Sequence, residues 1–246
     1  MRVRVFASGE ELARATATLL AVRAARAIME RGQASLVIPG GTTPLPILAA
    51  LAGPPLCEIA PWQAMHFFLS DERCLPFEDP ESNFGRARRA LFDRVPIRPH
   101  HLHPIPVDLY EPEEAAARYA ADLHTHFGGL PPEFDFALLG VGADGHVASL
   151  FPGHPLLNQG GKPYAAAVMP PPQAQPQAAR VTLTLPVLRA ARHVVIAATG
   201  AGKADIVRQL IGPEAKPNGH HPANLVRAQE ELFWFLDAAA ARGLEA

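Results

Sequence analysis

Cysteine is almost missing from this chain of 246 residues: only Cys57 and Cys74 occur, and they form no CxxC pair. A disulfide framework and a cysteine-ligated zinc site are therefore set aside. Charge of one sign is also missing, because 22 Lys and Arg face 24 Asp and Glu for a net charge of −2. A dedicated nucleic-acid binder carries a marked basic excess, so that class is set aside as well. Long apolar runs are absent. The run from Ala15 to Val22 stops at Arg23, far short of the ~20 residues that span a bilayer. The first residues have a superficial leader-like look, but Glu10, Glu11 and Arg14 interrupt it, and the segment reads as an amphipathic helix of a cytoplasmic protein. Lysine is scarce beside arginine; with the many alanines and prolines, that looks like genomic base-composition bias. The absence with the most chemistry in it is local: no Asp or Glu occurs from Gly145 to Ala204, while Lys162, Arg180, Arg189, Arg192 and Lys203 do. Where such a stretch lines a site, it offers a positive field to an anion.

What is present is a core: 48% of residues are hydrophobic and 19% charged, too apolar for a disordered chain. The runs RVRVF, ASLVIP, AMHFFLS, FDFALLG and HVVIAATG are short, apolar and closed by turn residues, as buried strands are. Between them, residues 10–31, 44–52, 82–92, 112–126 and 203–211 carry apolar residues at helical spacing. Strands alternating with helices predict an α/β fold, a three-layer doubly wound arrangement about a mostly parallel sheet. From Gly153 to Ala179 the rhythm breaks, and MPPPQAQPQAA (169–179) reads as extended, polyproline-like chain. Because the alternation resumes directly afterwards, this is taken as a long surface loop, with residues 1–246 forming one domain.

Ligands of such sheets bind at the loops leaving the carboxyl ends of the strands, and three of those loops carry chemistry. In Pro39-Gly40-Gly41-Thr42-Thr43-Pro44, glycines admit an anion to backbone N–H groups and a helix follows; an ordinary turn with an N-cap threonine reads the same way. Ser70-Asp71-Glu72-Arg73 closes a strand, with Ser82-Asn83 beyond. Its charges belong to a solvated turn or to a site, where Arg73 could clamp a phosphate. Gly140-Val141-Gly142-Ala143-Asp144-Gly145-His146 contains GxGxxG, but Pro152 falls seven residues after the last glycine. No acidic residue stands ~20 positions on to hold a ribose, which argues against a nicotinamide cofactor. Gly200-Ala201-Gly202-Lys203 opens a further helix in a phosphate-friendly position, yet Ala204 stands where a P-loop needs Ser or Thr. His100, His101, His103, His124 and His126 lack HExxH spacing and read as surface histidines, so no metal is expected. Cys74 lies beside Arg73, which would lower its pKa, but nothing near it in sequence serves as a base, and it reads as a spectator thiol.

Taken in order, PGGTTP (39–44), SDERCLP (70–76) with SN (82–83), FDFALLGVGADGHVASLFPG (134–153), RVTLTLPVL (180–188), GAGKAD (200–205) and HPANLVRAQEELFWFLD (221–237) resemble the 6-phosphogluconolactonases. The resemblance covers nearly the whole chain, and DGHVASLFPG is its most specific part. It implies a doubly wound fold shared with glucosamine-6-phosphate deaminases, no metal or organic cofactor, and hydrolysis of a phosphosugar lactone in the oxidative pentose phosphate pathway. The deaminases carry an acidic residue before the proline that follows their DGH turn. Here Phe151 precedes Pro152, which favours the lactonase. The partner implied is a small phosphosugar lactone, without nucleic acid or membrane, and with at most a weak homo-oligomer. The fold also serves transcription regulators as a phosphosugar sensor joined to a helix-turn-helix. With the first strand beginning by Val3, no residues are left here for one, although a stand-alone sensor is a second reading.

A δ-lactone is an activated ester, so its hydrolysis needs no covalent nucleophile. His146 is expected to activate water, since an imidazole is mostly neutral at pH 7, with Asp71 or Asp144 orienting the ring. Gly40, Gly41, Thr42, Thr43 and Gly142 are expected to supply backbone and hydroxyl contacts to the substrate. Arg73, Arg180 and Lys203 are expected to supply its cations.

Overall fold

The structure is a computed structural model and describes residues 1–158, 160, 163–213, 215 and 220–244. The runs form strands where expected, β1 (Arg2–Phe6), β2 (Ala34–Ile38), β3 (Met65–Leu69), β6 (Phe136–Gly140) and β9 (His193–Ala198), although β1, at the sheet's edge, is largely exposed rather than buried. β2 and β9 are buried at every position, which explains why they read as continuous apolar runs rather than alternating ones. Five further strands are β4 (Asp71–Arg73), β5 (Leu102–His103), β7 (Ala165–Val168), β8 (Arg180–Leu183) and β10 (Glu231–Asp237). The longer helices are α1 (Gly9–Arg31), α2 (Pro44–Leu51), α4 (Asn83–Ala90), α5 (Pro112–His126) and α7 (Ala204–Ile211). The short helices are α3 (Leu56–Ile59), α6 (Leu185–Arg189) and α8 (Pro222–Leu225).

Local chemistry sets the helix ends. Ser8 caps α1 by accepting from the Glu11 amide at 3.2 Å, and Glu11 reaches back to the Ala7 amide at 3.2 Å. This is the reciprocal arrangement of a capping box shifted by one residue. At the other end Gly32, at φ 83°, donates its amide to the Ile28 carbonyl, the left-handed stop that a glycine adopts without penalty. The buried residues Leu12, Thr16, Leu20, Ala24 and Ala27 recur every third or fourth position along α1, so one face of this helix packs on the core, while Val22 and Met29 stay exposed on the other. No described helix is long and apolar enough to cross a membrane.

Seven strands make one parallel sheet in the order β1-β10-β9-β6-β2-β3-β5. Successive side chains of a strand point to opposite faces, and β3 shows both layers at once. The Phe67 ring packs edge-on against Phe92, just beyond α4, while the Phe68 ring meets His126 at the end of α5. Full burial of each such ring is worth roughly 1.5–3 kcal/mol, so the central strands are anchored from both sides. The chain steps from β2 to β3 and β5 in one direction and from β6 to β9 and β10 in the other. The sheet's switch point therefore lies between β2 and β6, where the loops after neighbouring strands part and leave a crevice.

The segment 153–179 departs from expectation. Its middle is not a surface loop: β7 pairs antiparallel with β8, and β8 with β4, in a second three-stranded sheet. Tyr164, Ala165 and Val168 are buried there, so a run of small residues that carries no strand pattern is held by packing. Residues 170–179 contain no helix or strand.

Candidate active site

The loops after β2 and β6 meet at the switch point. With β4, β8 and the turn before α7 they enclose a cavity of about 240 Å³. Gly40, Gly41, Thr42, Thr43, Asp71, Arg73, Gly142, His146, Arg180 and Lys203 all line it. Residues scattered over more than 160 positions of sequence are thus brought together. Asp144 stands behind the wall, on His146.

The turn GVGADGH is tight because it closes on itself: the Gly142 amide donates to the His146 carbonyl at 2.8 Å, and the Gly145 amide to the Gly142 carbonyl at 3.0 Å. Gly145 sits at φ 83°, a conformation that disfavours any side chain. This turn places His146 Nδ1 2.6 Å from Asp144 Oδ1, and the His146 amide donates to the same oxygen at 3.1 Å. Burial pushes the Asp144 carboxyl up, but the hydrogen bonds and charge of His146 outweigh it and hold the pKa below the usual value. An ionised carboxylate only accepts, so Nδ1 carries the ring proton and Nε2 presents its lone pair. No described residue hydrogen-bonds Nε2.

Asp71 is placed differently. Its two oxygens accept from Ser70 Oγ and Ser149 Oγ, each at 2.7 Å, so it holds no bond to the imidazole. Geometry therefore separates the two aspartates that sequence left equivalent.

The cationic wall comes from the small sheet. Arg73 of β4 and Arg180 of β8 are direct cross-strand partners. Like charges so opposed destabilise a sheet, and neither Nε has a partner. Arg73 Nη1 is tied to the Glu81 carbonyl and lies 3.5 Å from its carboxylate. Arg180 donates from Nη2 to the carbonyls of Gln175 and Pro176 and lies over the Phe151 ring, 5.5 Å from its centroid. Burial pulls the Arg180 pKa down, with repulsion from Arg73 adding to the pull and Asp71 opposing it. Burial likewise lowers Lys203, against the attraction of Asp144.

In the β2 loop, Gly41 takes φ 92°, and Thr43, at the start of α2, makes no side-chain cap bond but lies with its hydroxyl 2.9 Å from that of Thr199. Gly40 is required by close approach. A Cβ there would fall 1.7 Å from Asn83 Oδ1.

Several contributors escaped sequence reasoning. Asn83 lines the cavity, donates to the Asp71 carbonyl at 2.8 Å and leaves Oδ1 buried without a partner. The Ser82-Asn83 pair, noted beyond the SDER turn and in the family resemblance, was its only signal. Glu72, fully buried, accepts from Arg73, Asn83 and Phe84 amides and from Ser82 Oγ. It thereby binds β4 to the start of α4. Burial pushes its carboxyl up to about 7, against those amides. Ala148 lines the cavity at φ 50°, a strained value for a residue with a side chain and one that clusters at functional sites.

Three sequence readings need correction. Of the four described cations in the acid-free stretch, Arg180 and Lys203 line the cavity and Arg189 and Arg192 do not. Arg189 donates to the Leu225 carbonyl, Arg192 pairs with Glu133 and Glu230, and Lys162 lies outside the described residues. The histidines are not all at the surface: His101 is buried, and half-buried His103 and His126 converge with His66, while His100 and His124 are exposed. Burial, reinforced by neighbouring imidazoles, holds His66 down at about 3 and His126 at about 4. The Cys74 thiol is pushed up to about 11 by burial and by Glu72, Glu113 and Glu111. This is the reverse of the lowering that Arg73 would cause, and it leaves the thiol unreactive.

Comparison with known proteins identifies the family. Residues 7–234 match the model of the family described as glucosamine-6-phosphate isomerases/6-phosphogluconolactonase. The human 6-phosphogluconolactonase is 42% identical over 252 residues, covering 98% of this chain and 92% of that protein. The Synechocystis 6-phosphogluconolactonase is 39% identical over 225 residues, covering 90% of this chain and 89% of that protein. Among solved structures, the Thermotoga maritima 6-phosphogluconolactonase superposes with a TM-score of 0.80 at 28% identity, covering 96% of this chain and 99% of that one. Matches of this extent and identity leave one conclusion: the chain belongs to the glucosamine-6-phosphate isomerase/6-phosphogluconolactonase family.

Proposed function

We propose that the cavity hydrolyses 6-phospho-D-glucono-1,5-lactone to 6-phosphogluconate, with His146 as general base. The observation that carries this reading is a juxtaposition. An imidazole whose Nδ1 is held by Asp144 lies in the same cavity as two arginines opposed in register, Arg180 buried and Arg73 partly buried. An anion between Arg73 and Arg180 would relieve their repulsion and satisfy their unpartnered Nε atoms, and Lys203 adds a third charge. Hydrogen bonds to charged groups are worth roughly 1.5–3 kcal/mol each, enough in sum to anchor a phosphorylated sugar.

In the reaction, His146 Nε2 takes a proton from water as its oxygen attacks the C1 carbonyl. The tetrahedral intermediate then collapses, the bond from C1 to the ring oxygen breaks, and the imidazolium returns the proton to that oxygen. Asp144 steadies the imidazolium without itself being protonated. A base placed in this way contributes typically 10²–10⁴-fold. Asp71, pinned by two serines, is an acceptor for substrate hydroxyls. Phe151, whose ring lies 5.0 Å from that of His146, puts an apolar wall where the deaminases carry an acid, so ring opening lacks its carboxylate.

Freshly prepared lactone, in a dehydrogenase-coupled assay against a buffer blank, tests the proposal when run beside ammonia release from glucosamine 6-phosphate. Acceleration over the blank with no ammonia is expected. Ammonia release would establish the deaminase instead, and tight binding without turnover would establish a sensor.

A further inference from the structure

On the α5 side of β3, three histidines from three elements converge: His66 of β3, His103 of β5 and His126 at the end of α5. One ligand nitrogen from each lies within 4.8 Å of the others. His66 Nδ1 and His103 Nε2 face one another at 3.1 Å. Two nitrogens bound tetrahedrally at ~2.1 Å to one ion stand roughly 3.4 Å apart, so an ion needs only a slight opening of that pair.

The surroundings favour a metal over a bare hydrogen-bonded chain. Asp122 Oδ2 lies 2.8 Å from His103 Nδ1. It takes that proton and turns the Nε2 lone pair toward His66, the carboxylate–histidine arrangement that supports metal ligands. The His103 ring is fixed by stacking on Phe68, centroids 3.9 Å apart and 6° from parallel. The His126 ring is fixed by Ser35, whose Oγ is 2.7 Å from Nε2. Ser35 also lines a surface cleft with Gln33 and Phe127. The rings of His66, His103 and His126 thus lie together, each oriented by a neighbour.

We propose that His66, His103 and His126 form a binding site for a divalent transition metal of the zinc class, with Asp122 as its supporting carboxylate. Three imidazoles leave the fourth tetrahedral position to water. The site is separate from the lactone cavity. His66 is the second residue of β3 and Asp71 lies five residues on, roughly 16 Å along extended chain.

The test is calorimetric titration of chelator-treated, dialysed protein with Zn²⁺, and with Co²⁺ for its visible spectrum. One saturable equivalent and a tetrahedral Co²⁺ spectrum are expected. His103→Gln should abolish both, and His146→Asn should leave both intact. Asp122→Asn alters a half-exposed side chain and threatens the fold least. It should weaken Zn²⁺ about 10–100-fold. Lactone hydrolysis should be the same with and without Zn²⁺. The proposal is overturned if no saturable equivalent binds, or if His103→Gln and Asp122→Asn bind Zn²⁺ as the parent does.

Discussion

Gly142 lies against the ring of His146 so closely that a Cβ on residue 142 would stand 2.1 Å from Nδ1 and 2.6 Å from Asp144 Oδ1. The glycine is therefore a condition of the histidine–aspartate bond as well as of the turn. Gly142→Ala should displace the pair and lower kcat by about 10²–10⁴-fold, the share a positioned base supplies. Circular dichroism and thermal melting should show the fold retained. Parent-like turnover in a folded Gly142→Ala protein would remove His146 from the mechanism.

The two aspartates should separate kinetically, because only Asp144 touches the imidazole. Asp144→Asn replaces a pure acceptor with an amide that can donate, which favours the tautomer with the proton on Nε2 and blocks the base. Its kcat should fall while 6-phosphogluconate still binds, as calorimetry would show. Asp71→Asn leaves the His146–Asp144 bond in place and should act mainly on KM. The reverse pattern would exchange their roles.

Much of this was legible because it is local. Strands buried on both faces read as apolar runs, and the helices over 112–126 and 203–211 fall within a residue of their expected bounds. The GGTT and DGH turns were legible because few residue types tolerate their backbone and close contacts. β4 was not, because Asp-Glu-Arg has no strand pattern. What makes it a strand is the burial of Glu72 on the amides of α4, eleven and twelve residues away. His66 was missed for the same reason: its partners lie 37 and 60 residues on, and no spacing rule joins them.

Arg73 and Arg180 oppose each other in register, and like charges so placed repel, so a bound phosphate between them would offset that cost. Arg180→Met should raise KM about 10- to 100-fold, the equivalent of one charged hydrogen bond or two. The free protein should not be destabilised, because an apolar side chain replaces a buried, incompletely paired charge. The rise in Tm that 6-phosphogluconate gives the parent should shrink or vanish in the variant. If Arg180→Met melted well below the parent yet kept its KM, the arginine would be structural.

The histidine cluster should make the metal-free protein acid-sensitive. His66 is faced by His126, His101, His103 and His100, and His126 by His103, Asp122 and His101. In the unfolded chain both bind protons near pH 6.5, whereas burial and the neighbouring rings delay this in the fold to about 3 for His66 and about 4 for His126. Between those limits the unfolded state holds more protons, so stability falls as pH falls. Urea unfolding of chelated protein from pH 7.5 to 4.5 should show this decline, and His66→Gln and His126→Gln should each flatten it. Comparing parent with variant at each pH cancels the titrating groups that do not face the cluster, including Glu72, whose raised pKa acts in the opposite sense. Equal slopes in parent and variants would mean that the folded cluster takes up protons as readily as the unfolded chain.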